Sequence, residues 1–161
     1  MGLRLDKFTI AIIALVAILL AVAVFTVNRT GGPSMAARTD DSPEATIVNA
    51  YLALQKTDVT EARSWYSTRV LEEVDGDANI GSCLRTDSSY PCNANTNQRL
   101  RVIQVDPDSS NADRMKVTIA IDNYYDGGPF GGSSVYSGGE RVVLVVREDN
   151  RWKIDQLEYF Y

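Results

Sequence analysis

RMKVTIAID, residues 114–122, carries the pattern that decides the fold. Met115, Val117, Ile119 and Ile121 alternate with Lys116, Thr118 and Ala120. A period of two places one set on each face of an extended strand, so this segment has one buried face and belongs in an antiparallel sheet packed on one side. Asp122 shares the parity of Lys116 and Thr118 and is expected to point away from the buried face.

Working outward, RLRVIQV (99–105), ERVVLVVRE (140–148) and RWKIDQLEYFY (151–161) have the same β-branched and aromatic content. They are separated from one another and from 114–122 by DPDSSNAD, a long glycine-rich loop and the tight turn EDNR, which favours an antiparallel meander of about four strands. Residues 142–146 are apolar on both parities, as expected of a central strand. Two strands change phase. Leu100 and Val102 give way to Ile103 and Val105, and Trp152 and Ile154 give way to Leu157 and Tyr159. A β-bulge changes facing in this way and bends its strand, so the sheet is expected to curve strongly.

Toward the amino terminus, SPEATIVNAYLALQKTD (42–58) opens with Ser42 as an N-cap, Pro43 at the first helical position and Glu44 in the first turn. Ile47, Val48, Tyr51, Leu52 and Leu54 then form one apolar stripe. A second start at Asp58 leads into EARSWYS, and TRVLEEV (68–74) gives a third helical segment. Helices this short are stable only when something broad packs over them. The expected class is therefore α+β: about three short helices packed in a curved antiparallel sheet of about four strands.

This order of elements, ending in a turn and the Trp152-Lys153-Ile154 strand, resembles the nuclear transport factor 2-like superfamily, especially its small bacterial members of lumazine-binding-like type. The resemblance covers residues 42–161. It implies a cone, a curved sheet wrapped around helices with a pocket at the open end. Members of that superfamily include isomerases, dehydratases, transport adaptors and secretion scaffolds, so the resemblance assigns no function.

Residues 8–27, FTIAIIALVAILLAVAVFTV, contain no charge, Asn, Gln or Pro. At 1.5 Å per residue they match a hydrocarbon core of about 30 Å, so a transmembrane anchor is expected here. A cleaved signal peptide is the alternative, with Ala21-Val22-Ala23 as a small-residue site, but the apolar run continues past it through Val24, Phe25 and Val27. Arg4 and Lys7 precede the span, which puts residues 1–7 in the cytoplasm and the rest outside the cell membrane. Residues 28–41, with Gly31, Gly32 and Pro33, read as a flexible linker, and 42–161 as one extracytoplasmic domain.

Cys83 and Cys92 are the only cysteines and lie in one polar stretch. Outside the cytoplasm such a pair most simply forms a disulfide. With no histidine in the chain, two thiols do not complete an ordinary zinc site. DGDANIG (75–81) has the alternating acids of a calcium loop, but Ile80 stands where its glycine belongs and Thr86 where its bidentate Glu belongs, so a capped turn is expected. No metal and no cofactor are expected. The net charge of −5 includes a basic start at Arg4 and Lys7, so the rest of the chain is more acidic still and no nucleic-acid partner is expected.

An enzyme of the implied cone would need a Tyr, His or carboxylic acid in its pocket. Tyr51 and Tyr66 lie on apolar helix faces, where a tyrosine is core with its hydroxyl satisfied at the edge, and Asp155 sits at a suspected bulge. No catalytic residues are assigned. The distinctive segment is YYDGGPFGGSSVYSGG (124–139), whose glycines give mobility while Tyr124, Tyr125, Phe130 and Tyr136 offer contact area for a ligand or partner. The expectation is a membrane-anchored extracytoplasmic binding or scaffold module, whose partners are the bilayer through residues 8–27 and an envelope protein, a homodimer through the sheet, or a small apolar ligand. A cone-pocket enzyme of hydratase or isomerase type is the alternative.

Overall fold

The computed structural model describes residues 8–9, 12–19, 35–86, 97–125 and 134–160, with Ala112 by its backbone alone. Residues 8–9 and 12–19 are helical, and every side chain of 12–19 is exposed. Among the described residues no helix is long and apolar enough to cross a membrane. Much of the expected 8–27 span lies outside the described residues.

The folded body is α+β. Its helices are α1 (Pro43–Gln55), α2 (Val59–Arg63) and α3 (Thr68–Gly76), followed by a 3-10 turn at Ser82–Leu84. Each of the three begins at a capping side chain. Ser42 Oγ accepts from the Ala45 N–H at 3.1 Å, Asp58 Oδ1 from Glu61 at 2.9 Å and Ser67 Oγ from Val70 at 3.3 Å.

Helix α1 is not the one-sided helix that its apolar stripe suggests. Every residue from Ala45 to Leu54 is buried, including Thr46 and Asn49. Thr46 Oγ1 donates to the Trp152 carbonyl at 3.2 Å. Asn49 accepts from the Arg38 N–H and donates to the Arg38 carbonyl, both at 2.9 Å, engaging both backbone groups of one residue of the preceding arm. Met35 packs on the core and Asp41 pairs with Arg147 at 3.0 Å. Residues 35–41 therefore belong to the folded body, a correction to the expected 28–41 linker. Residues 28–34 lie outside the described residues.

The sheet is an antiparallel meander of β1 (Gln98–Asp108), β2 (Asn111–Tyr125), β3 (Ser134–Ser137), β4 (Arg141–Glu148) and β5 (Arg151–Ile154). Strands β3 and β4 both lie on one edge of β2, end to end, so five strands occupy the four expected positions. Asp149 and Asn150 both have positive φ (51° and 60°), the two-residue I′ turn that suits a tight hairpin between Glu148 and Arg151. The register of β1 on β2 shifts between Val102 and Gln104, leaving Ile103 as the extra, exposed residue. This is the bulge that the first phase change announces. The second has another cause: β5 stops at Ile154, where the chain leaves the sheet and buries Asp155, Glu158 and Phe160.

Helix α1 touches β1, β2 and β5, so the sheet curls around it. The enclosed space is filled by Ile47, Tyr51, Tyr66, Val70, Leu84, Val117, Ile119, Val143, Val145 and Ile154, each almost wholly buried. Burying a side chain of this size contributes about 1.5–3 kcal/mol, which makes this interior the main source of stability.

Between β3 and β4 a second bulge bends the line. Ser137 faces Asp122 and Arg141 faces Ile119, so four steps on this side oppose three on β2. At the bend the Gly138 N–H donates to the Ile121 carbonyl at 2.8 Å. A Cβ on Gly138 would stand 2.3 Å from that oxygen, whereas one on Gly139 would meet nothing within 4 Å. Gly138→Ala is therefore expected to lose about 1–3 kcal/mol by pushing two backbones apart. Gly139→Ala should be close to neutral. Paired thermal melts check both, and equal melting temperatures would mean that the bend tolerates a side chain.

Candidate functional site: an aromatic β-ribbon

The far half of β2 and all of β3 form a ribbon that outruns the core. Its register pairs Asp122 with Ser137, Asn123 with Tyr136, Tyr124 with Val135 and Tyr125 with Ser134. Strand parity puts Tyr125 and Tyr136 on the same side as Val117, Ile119 and Ile121 but beyond the packed interior, as diagonal neighbours. Tyr125 is 62% exposed and Tyr136 70%. Val135, on the opposite face beside half-buried Tyr124, is 56% exposed. Tyr125, Ser134, Val135 and Tyr136 border a hollow of about 390 Å³.

Three of the four residues expected to make contacts thus lie on paired strands rather than in a long loop; Tyr125 and Tyr136 share one face, and Tyr124 lies on the other. Phe130 lies outside the described residues. Val135 is the residue that sequence reasoning missed. The signal available for it is the adjacent apolar pair Val135-Tyr136, flanked by serines, in the short stretch that two glycine pairs bracket.

Hydrogen bonds fix which way the ribbon's backbone points. The Tyr124 N–H donates to the Asn97 carbonyl at 2.7 Å, toward the β1 side, while the Ile121 carbonyl receives Gly138 from the β4 side. Successive residues of a strand alternate in this respect. Asn123 and Tyr125 therefore exchange hydrogen bonds with Tyr136 and Ser134, and Val135 and Ser137 direct their N–H and C=O groups to the far edge of β3. No described strand lies there.

The other edges near the site are covered or blunted. On β4 the equivalent outward groups are engaged: the Leu144 N–H donates to Gln156 Oε1 at 3.0 Å, the Leu144 carbonyl accepts from the Asp155 N–H at 2.9 Å, and Gln156 Nε2 donates to the Val142 carbonyl at 3.2 Å. Residues 65–67 cover β5, with Ile154 donating to Trp65 at 2.8 Å and Ser67 donating to Ile154 at 2.9 Å. Strand β1 carries a bulge, Pro107, Arg99 and Arg101, features that discourage strand addition.

Asp122, Asp155, Asp75 and Asp77 are engaged within the fold. Asp122 lies on the outer side of β2, as expected, held by Arg101 Nε at 3.0 Å, and that hydrogen bond keeps its carboxyl below the ordinary range. Asp155 accepts from Ser67 Oγ at 2.8 Å, Arg69 Nε at 2.9 Å and Arg114 Nη2 at 2.9 Å. Asp75 pairs with Arg63 at 2.7 Å, while Asp77 Oδ1 accepts the Asn79 N–H at 2.8 Å, so DGDANIG is a capped turn. No group of three metal-ligating side chains occurs among the described residues. Cys83 is disulfide-bonded, and Cys92, the chain's other cysteine, lies outside the described residues.

The interior tyrosines have their hydroxyls engaged. Tyr66 donates to the Glu158 carbonyl, and Tyr51 Oη accepts from Gln55 Nε2 at 2.6 Å. A second hollow, about 280 Å³, lies between the 38–41 arm, Trp65 and Trp152. Of its charges, Arg38 pairs with Asp40 at 3.1 Å, and Asp41 pairs with nearby Arg147, which also stacks over Trp152 at 5.3 Å.

No family model, curated protein or solved structure matches this chain. The functional reading rests on the site alone.

Proposed function

We propose that this chain is a membrane-anchored extracytoplasmic docking module without catalytic activity, of nuclear transport factor 2-like type, which offers the β2–β3 ribbon to an envelope partner. The observation that carries this reading is the distribution of aromatic side chains. Tyr51 and Tyr66 are sealed in the interior, whereas Tyr125 and Tyr136 stand in solvent next to an open strand edge. Contact area placed outside a filled core is suited to recognition and contributes little to folding. Residues 8–27 supply the anchor in this reading: they carry no charge, Asn, Gln or Pro, and the described residues 8–9 and 12–19 are helical, with every side chain of 12–19 exposed. The disulfide at Cys83 suits an oxidising compartment. The hydratase or isomerase alternative draws no comparable support, because the tyrosines it would use already bond within the core.

A tag after Tyr161 on the full-length protein is expected to react with antibody added to intact cells while the protein stays in the membrane fraction. Replacing Tyr124, Tyr125 and Tyr136 with Ser should remove the neighbours that chemical cross-linking traps on the wild-type protein, with the melting temperature held. A tag reached only after lysis would reverse the topology. An unchanged cross-linking pattern would discard the ribbon as the docking surface.

A further inference from the structure

We infer that the occupant of the open β3 edge is the same strand of a second copy of this chain, paired antiparallel about a two-fold axis through Tyr136. The inference rests on the docking reading above and names its partner. Among the described residues, β3 is the sheet edge with neither a covering element nor a charge, proline or bulge along its four residues. Its outward groups are the N–H and C=O of Val135 and Ser137, two positions apart.

Those groups complement themselves in one register. With the axis at Tyr136, Val135 of each copy lies opposite Ser137 of the other. Each such pair exchanges two hydrogen bonds, so all four free groups of both strands are engaged. Placing the axis at Val135 or at Ser137 instead would engage only one of the two residues with its own copy. Placing it between residues would set outward groups against inward ones. In the favoured register Tyr136 meets its own counterpart as a non-hydrogen-bonded pair, the closer of the two antiparallel spacings, and Tyr125 lies diagonal to it on the same face. The most exposed aromatic of the ribbon is thereby covered. The uncharged sequence of β3, Ser-Val-Tyr-Ser, brings no like charges together. The contact is small, so the association is weak in solution and a cross-link is the appropriate probe.

Non-hydrogen-bonded antiparallel partners have Cα atoms about 4.5 Å apart, within the range a disulfide spans. Tyr136→Cys in the full-length, membrane-embedded protein is expected to form a disulfide dimer on mild oxidation, running at twice the 17.7 kDa chain mass on a non-reducing gel. Val135→Cys, which in this register faces Ser137, should give roughly tenfold less dimer. The native Cys83 is already bridged and does not compete. A Tyr136→Cys protein that stays monomeric, or equal dimer from both variants as random collision would give, overturns the self-pairing. If that happens while the triple Ser variant still loses its cross-linked neighbours, the ribbon docks a different protein. If neither effect is seen, the docking reading falls as well.

Discussion

Truncating Tyr51 to alanine is expected to cost about 3–5 kcal/mol of folding stability, the range for removing a large buried aromatic and leaving a cavity that closes only in part. Tyr51 is 2% exposed at the centre of α1 and meets the Phe160 ring edge-on, with centroids 5.9 Å apart and an interplanar angle of 85°. It therefore joins the first helix of the domain to the end of the described chain. Tyr51→Phe should cost only about 1 kcal/mol, because the ring remains and Gln55 Nε2 keeps its second acceptor, the Gln98 carbonyl at 3.3 Å. Burial pushes the Tyr51 phenol up to about 12, against the small opposing effect of Gln55. A raised value in the folded state means that this residue's contribution is intact below the unfolded value near 10 and is lost as pH rises toward 12. Urea titrations at neutral pH and at about pH 11 check both statements. Wild type and Tyr51→Phe should converge at the higher pH. An alanine variant of nearly wild-type stability would mean that the interior of the curl is not packed around this ring.

Much of this fold is legible in the sequence where a single residue or a strict period carries the information. The alternation at 114–122 reports one buried face directly. Ser42 and Asp58 mark helix starts through bonds that reach only three residues ahead. The bulge at Ile103 shows as a change of parity. Features whose cause is distant in the chain leave no such local signal. Thr46 and Asn49 look like the polar side of an amphipathic helix because their partners lie 106 and 11 residues away. The strand 151–161 ends early because Asp155 turns inward to Arg69 and Arg114, partners that no local pattern announces.

The candidate site divides in the same way. Aromatic residues between glycines could be singled out, but β3 has four residues, too few for periodicity to register as a strand. Its pairing depends on the length of β2, which continues past the core far enough to offer an edge. That no described strand lies beyond the outer edge of β3 is likewise a three-dimensional matter. It depends on Gln156 covering β4 but not β3, and on the tail turning in toward Tyr51. A ribbon of this kind becomes a site only when the rest of the sheet is closed.

Asp155→Ala is expected to be nearly as costly as Tyr51→Ala, for an electrostatic reason. The residue is 6% exposed, and its carboxylate gathers three donors from two elements: Ser67, the N-cap of α3, Arg69 in the first turn of that helix, and Arg114 on β2. Removing one partner of a buried ion pair costs about 3–5 kcal/mol when the other charge is stranded. Arg69 is more than half exposed and can turn to water or to Glu73, so the loss should lie near the lower end, about 3 kcal/mol. Arg114 is less free, being one-third exposed with Nε already lacking a partner. Arg69→Ala should cost about 1 kcal/mol, which separates the burial of the acid from the count of its bonds. Burial alone raises the Asp155 carboxyl, but the hydrogen bonds from Ser67, Arg69 and Arg114 and the charge of Arg69 outweigh it and hold the group below its ordinary range. A depressed folded-state value gives stability that is present above the unfolded value near 4 and disappears as pH falls through the folded value. The stability difference between wild type and Asp155→Asn should therefore be widest near neutral pH and shrink below about pH 4. Comparing the two proteins isolates this residue from Asp108 and Asp122, whose carboxyls are lowered as well. A difference that stays constant from pH 7 to pH 3 would show that Asp155 acts through shape and hydrogen bonding and not through its charge.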